Sequence, residues 1–422
     1  MTSPLALYLA VFGGLLIASS FLDRLAGRLR IPGVLLVLLL GLLTDNNLST
    51  LPGSPPPLLS LHRADELAQV AVAVVLFQQG LSTNWQALRA VVQPGLRLAT
   101  VGSLVTAVLL MGAVLGLQQL MPSQLPHGLA PALFIGAMVC STDASAVLAV
   151  LRPLATQLPQ RLLDLIECES AFNDPMAVVL AGLALAIGDG ASTDGAMVFS
   201  AVLRQFLLGG LIGLMGGRLA APLVESGGRS WGQSNQAVVS LAMLFLLLGG
   251  TTLLGGSGLL AAYVAGLVIG NSPGVNGKRL DRAYAGYLKL AELLLFLCMG
   301  LVVDPTSVLR LLPWILLLFV LMQLVRLVAV VPLLTGAFVW SEQVFVGLCG
   351  LRGAVPIALA IQAAAHGPIA KSWGQSMPAL ALGVVLLGLM LQGFALVPLA
   401  RRLELVPAAQ PLQAPGESHG SM

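Results

Sequence analysis

Long apolar runs separated by short polar segments fill almost the whole chain. A helix that crosses a bilayer needs about 20 mainly apolar residues, within roughly 17–25. By that ruler the pattern predicts thirteen spans, at about residues 4–22, 31–45, 66–82, 95–120, 129–151, 160–188, 196–222, 236–254, 257–271, 288–303, 311–338, 343–365 and 376–400. The short ones suit broken or re-entrant helices and the long ones tilted helices. Between spans, the Pro-rich stretch 52–57 predicts an outer loop and the Gly/Asn run 270–277 a turn. The transmembrane unit is expected over 1–403. Residues 404–422, rich in Pro, Gly, Ser and Gln, are expected to form a short disordered cytoplasmic tail.

Composition narrows the class. Charged residues make up 9% of the 422, against roughly 25% in soluble domains. So few charges could not coat a soluble enzyme, a disordered protein or a nucleic-acid binder, whereas lipid can cover an all-α polytopic protein. Of the 21 Lys and Arg, only Arg63, Arg310 and Lys371 fall in loops on one side, and Arg204, Arg326 and Arg352 lie within spans or at their edges. The rest fall on the other side. This bias predicts an external N-terminus and a cytoplasmic C-terminus. Met1 to Tyr8 carry no Lys or Arg, so the first span reads as an uncleaved helix, not a signal peptide. Cys140, Cys168, Cys298 and Cys349 sit inside apolar stretches without metal-ligand spacing and read as small buried residues.

A charge near the bilayer centre costs at least about 2.5–3.5 kcal/mol, so the few that remain there are candidate functional groups. They are Asp143, Glu169, Asp174, Glu292, Arg326 and Arg352, with Asp164 and Glu167 nearer the cytoplasmic start of their span. The densest group is Glu169-Ser170-Ala171-Phe172-Asn173-Asp174-Pro175. Ser170 and Asp174 are one helical turn apart, as are Glu169 and Asn173. A carboxylate beside a hydroxyl suits a hard monovalent cation or a proton. The bland alternative is a neutral or paired Asp that locks helices together.

Two further clusters predict broken helices. Cys140-Ser141-Thr142-Asp143-Ala144-Ser145 interrupts an apolar span with hydrogen-bonding groups that can expose backbone carbonyls to a cavity, and Asp143 can cap the resulting half-helix. The alternative is a polar helix–helix interface. Gly350-Leu351-Arg352-Gly353-Ala354-Val355-Pro356 marks a second break. Arg352 needs a counter-charge, for which Glu169 is the natural candidate. Arg326 is expected to pair with Glu292 or to share the network. The breaks fall in the fifth and twelfth spans, which correspond if spans 1–6 and 8–13 are inverted copies joined by the seventh. Interrupted helices in matching places of two halves point to a transporter site.

Ser141-Thr142-Asp143, Glu169-Ser170 with Asn173-Asp174-Pro175, and Gly350-Leu351-Arg352-Gly353, in that order, resemble the monovalent cation:proton antiporter-1 family, the sodium/proton exchangers of bacterial NhaP type. The likeness runs over about residues 5–400. It implies a thirteen-helix inverted-repeat fold with crossed, unwound helices 5 and 12. A dimerisation part (about 4–82 and 236–303) would stand beside a mobile core part (about 95–188 and 311–400), and the protein would be a homodimer. It also implies that Asp174 binds the cation or the proton, supported by Thr142, Asp143, Ser170 and Asn173, with Glu169 and Arg352 as a structural ion pair. Asn-Asp, in place of Asp-Asp, implies electroneutral one-for-one exchange. One departure is Phe77-Gln78-Gln79-Gly80-Leu81, where the family often reads Phe-Glu-Gly-Gly-Leu.

The expectation is therefore an antiporter, not an enzyme, in a bacterial inner membrane, serving pH homeostasis without a cofactor. Sodium is named first as the exchanged cation, with potassium as the alternative and lithium also compatible. A cation channel lined by the same polar breaks is the rival from another class.

Overall fold

The computed structural model describes residues 4–29, 33–44, 57–120, 128–190, 195–230, 233–275, 277–365 and 376–406. Most of the Pro-rich loop, Arg30, Lys371 and the tail from 407 lie outside the described residues. All regular structure among those described is helical.

The first helices are α1 (Pro4–Leu29), α2 (Gly33–Leu43), α3 (Leu61–Ser82) and the single turn α4 (Trp85–Leu88). α5 (Val92–Arg97) runs through a widened turn at Leu98–Gly102 into α6 (Ser103–Leu120). α7 (Leu129–Cys140) and α8 (Ala144–Leu151) share one expected span, and α9 (Gln160–Gly188) follows. Then come α10 (Gly195–Ser230), α11 (Gln233–Leu253), α12 (Gly258–Gly270), α13 (Gly277–Val302) and α14 (Pro305–Leu334). α15 (Trp340–Leu348) and α16 (Ala354–Ala365) share another expected span. Last, α17 (Ser376–Leu387) passes through a second widened turn at Gly388–Gln392 into α18 (Gly393–Arg402).

Helix thus occupies every expected stretch, and the turn after Gly270 lies where the Gly/Asn run places it. α1, α10 and α13 extend beyond their expected limits. The apolar ruler marks only the part that meets hydrocarbon, and polar turns such as those holding Arg24 or Arg282 continue the helix outside it. Among the described residues, nine helical stretches are long and apolar enough to cross a bilayer, and α2, α12 and α16 are shorter apolar helices. Large apolar side chains face outward, Leu253 at 90% exposure among them, as lipid contact requires.

Side-chain caps set several helix starts. Ser60 accepts from the Arg63 N–H at 3.4 Å, and Ser257 from the Leu260 N–H at 3.3 Å. The helices pack in two groups. α3 lies against α12 and α13, and α2 against α13; α6 lies against α7, α7 against α9, and α14 against α15 and α17. The groups meet where α16 packs on α3 and α13. The close approach of α3 to α12 depends on Gly80 and Gly266, since a Cβ on either would collide with the facing backbone at Tyr263 or Phe77. The four cysteines are buried and unbridged.

Candidate functional site

Residues 141–143 and 349–353 are not helical, so both expected interruptions are present. The two open segments touch: the Asp143 N–H donates to the Leu351 carbonyl at 2.8 Å. Gly353 lies so close to the Asp143 carboxylate that any side chain there would displace it. Asp143 is the N-cap of α8, accepting from the Ala146 N–H at 3.1 Å and from the Ser145 hydroxyl at 2.5 Å. Its charge faces the positive end of α8, while Arg352 follows the negative end of α15.

α9 supplies the other wall. Ser170, Asn173 and Asp174 are buried and all face the first break. The Ser141 hydroxyl donates to Asp174 Oδ1 at 2.5 Å. Asn173 and Thr142 bond reciprocally: the Thr142 N–H donates to Asn173 Oδ1 at 3.3 Å, and Asn173 Nδ2 donates to Thr142 Oγ1 at 2.7 Å. Ser170 spans the break, donating to the Thr142 carbonyl at 2.7 Å and accepting from the Ala144 N–H at 2.9 Å. The Thr142 N–H and carbonyl and the Asp143 N–H of the open segment are thus satisfied by α9 and by Leu351. Pro175, inside α9, removes the donor that would meet the Ala171 carbonyl, one turn back beside Asp174.

The ion pairing differs from the expectation. Glu169 pairs with Arg326 of α14, not with Arg352. Arg326 Nη2 lies 2.8 Å from Oε1 and 3.0 Å from Oε2, with both side chains 4% exposed. Arg352 is fully buried and donates through Nη1 to the carbonyl of Gly350, two residues back. Its Nε and Nη2 have no hydrogen-bond partner among the described residues. The reason is geometric. Arg352 sits in the open segment and folds onto its own loop, whereas Arg326 projects from the buried face of α14 toward Glu169. Arg326 does not pair with Glu292 either. Glu292 Oε2 lies 3.8 Å from Lys289 Nζ, which holds Asp23 at 2.7 Å.

A cavity of about 1420 Å³ begins at Ser141, Asp143 and Asp174 and extends to Thr83, Arg152 and Pro153, where α3 and α8 end. Glu292 and Lys289 line it on the α13 side. Five of the six intramembrane charges therefore gather at the breaks, and Glu292 lies apart from them on the cavity wall. Sequence reasoning passed over Ser141 as a partner of Asp174, although it stands in the polar run. It also treated Gln79 only as a departure from a motif. Gln79 lines the cavity and reaches Ser170, with Nε2 to Oγ at 3.5 Å. The polar signal was present in both cases; what it touches was not.

This arrangement can be set beside known proteins. The chain matches the family of transmembrane sodium/hydrogen exchangers over residues 14–402. It is 32% identical over 417 residues to the K(+)/H(+) antiporter NhaP2 of Shewanella oneidensis, covering 96% of this chain and 69% of that protein. It is 29% identical over 412 residues to the K(+)/H(+) antiporter NhaP of Alkalimonas amylolytica, covering 94% and 67%. The Na(+)/H(+) antiporter ApNhaP of Aphanothece halophytica is 27% identical over 368 residues, covering 81% and 65%. The solved structure of the sodium proton antiporter MjNhaP1 from Methanocaldococcus jannaschii at pH 8 superposes with a TM-score of 0.81 at 20% identity, covering 94% of this chain and 99% of that one, so the fold is shared. The match spans both broken helices and the carboxylate between them, and the chain is an integral membrane protein that belongs to the sodium/hydrogen exchanger family.

Proposed function

We propose that this protein exchanges a monovalent cation for a proton across the membrane, one for one, by competition at Asp174. The observation that carries the reading is the place of Asp174, a carboxylate at the inner end of a large cavity where two broken helices meet. Oxygen groups surround it, which suits a proton or a hard alkali cation. Binding one excludes the other. Bare Asp174 is too costly to carry past an apolar barrier, so only the loaded site changes sides, and this couples the two fluxes. The charge balance supports one-for-one exchange. Asp143, Glu169 and Asp174 face Arg326 and Arg352, and one proton or one monovalent cation brings that set to neutrality.

The cavity opens at the end that the Lys/Arg bias assigns to the cytoplasm, so this state is read as inward-facing. The protein is placed in a bacterial inner membrane with its N-terminus outside and its C-terminus inside. The two packed groups of helices suit a fixed dimerisation part (about 4–82 and 236–303) and a moving core part (about 95–188 and 311–400), in a homodimer.

Sodium is the first reading for the cation. Potassium is the second, favoured by the names of the Shewanella and Alkalimonas relatives. Purified protein in liposomes, assayed for proton movement driven by sodium, potassium or lithium gradients, separates these. Exchange unaffected by an imposed membrane potential supports the one-for-one ratio. Current at channel rates without proton coupling refutes the antiport reading.

A further inference from the structure

We propose that Gln79 sets the cation affinity of the site by competing with the cation for the oxygen of Ser170; this rests on the exchange reading above. A serine hydroxyl has one proton to donate and two lone pairs to accept with. At Ser170 all three are in use. The proton goes to the Thr142 carbonyl at 2.7 Å, one lone pair takes the Ala144 N–H at 2.9 Å, and the other takes Gln79 Nε2 at 3.5 Å.

The three bonds differ in kind. The first two join α9 to the break in its own group of helices and hold the open segment in place. The third comes from α3, which packs on α12 and α13. It is long and therefore weak. Both Gln79 and Asp174 line the cavity, and Ser170 stands one turn before Asp174 on α9.

A cation on the Asp174 carboxylate that draws Ser170 Oγ into its shell needs a lone pair. The pair that faces Ala144 is committed to the fold, so the cation must take the one that Gln79 holds. The amide withdraws as the cation arrives. A proton binds Asp174 itself and needs nothing from Ser170, so Gln79 weakens the cation without weakening its competitor. Gln79 is in these terms a positioning residue that acts through Ser170.

The test is proton exchange in liposomes driven by sodium, and separately by potassium, for wild type, Gln79→Ala and Gln79→Met. The Met variant keeps the length and volume of the side chain without the donor, so it remains informative where the Ala variant fails to fold. Detergent melting checks both. The cation KM is expected to fall about twofold, the low end of the worth of one neutral hydrogen bond, because this one is long. In a Ser170→Ala background the Gln79 substitution is expected to leave KM unchanged. An unchanged KM in a folded Gln79 variant overturns the proposal. So does a raised KM, which would make Gln79 a ligand, or an equal fall in the Ser170→Ala background. Absence of exchange in wild type refutes the exchange reading itself, a result separate from all of these.

Discussion

Replacing Arg326 by alanine leaves the Glu169 side chain 4% exposed and without the guanidinium that now lies 2.8 Å away. Breaking a buried pair from one side costs about 3–5 kcal/mol, most of it the penalty of the stranded charge. Replacing Arg352 strands nothing comparable. Among the described residues its Nε and Nη2 have no hydrogen-bond partner, and its Nη1 donates to the Gly350 carbonyl. Arg326→Ala is therefore expected to lower the melting temperature in detergent markedly. Arg352→Met should lower it less while still reducing exchange, because it removes one of the two cations that balance the site. A Glu169→Leu/Arg326→Met double variant removes both charges and should recover most of the melting loss of Arg326→Ala. The assay is fluorescence-monitored melting of purified protein, with exchange measured on the same preparations. If Arg352→Met destabilises as much as Arg326→Ala, or the double variant melts no higher than Arg326→Ala, the assignment of Glu169 to Arg326 is wrong.

Asn173→Ala leaves the buried Thr142 N–H without its acceptor and is expected to cost about 1–3 kcal/mol; lowered melting together with impaired exchange checks it. Gly353→Ala pushes a methyl group into the Asp143 carboxylate and should disturb the α8 cap, so exchange falls even where the protein still folds. Asp304 caps α14 at a loop, accepting from the Thr306 N–H at 3.0 Å, and Asp304→Ala is expected to cost about 1 kcal/mol of stability with exchange unchanged. The Thr306 side-chain hydrogen bond holds the Asp304 carboxyl below its usual range. A depressed value means the stabilisation is present above the ordinary carboxylate range and lost as pH falls through the lowered value. The melting difference between wild type and Asp304→Ala should therefore vanish in acid.

The spans were legible in the sequence because lipid leaves the backbone few options, and each helix advertises itself as a long apolar run. The breaks were legible for the same reason. The polar runs Ser141–Ser145 and Gly350–Gly353 make sense in hydrocarbon only where the helix opens. Asp143 as a cap followed from local chemistry, whereas the hydroxyl on Asp174 is Ser141 of the break and not Ser170 one turn back on α9. Partner choice did not follow from local chemistry. Two arginines competed for Glu169, and the answer depended on α14 bringing Arg326 within reach of α9, a long-range fact with no local signature. Glu169 and Asn173 do stand one turn apart on α9, as their spacing implies, but the spacing does not name their partners. Asn173 turns to Thr142 and Glu169 to Arg326, because a helix face a turn wide meets two different neighbours. Gln79 escaped notice because a polar residue in an apolar helix says that it has a partner and not which one.

The central claim is that one carboxylate carries both ions, and Asp174→Asn tests it most directly. The amide keeps the shape of the side chain but can neither ionise nor be titrated. In liposomes the account predicts a folded protein with cation-dependent proton exchange abolished for sodium and potassium alike. Robust exchange by that variant would contradict it.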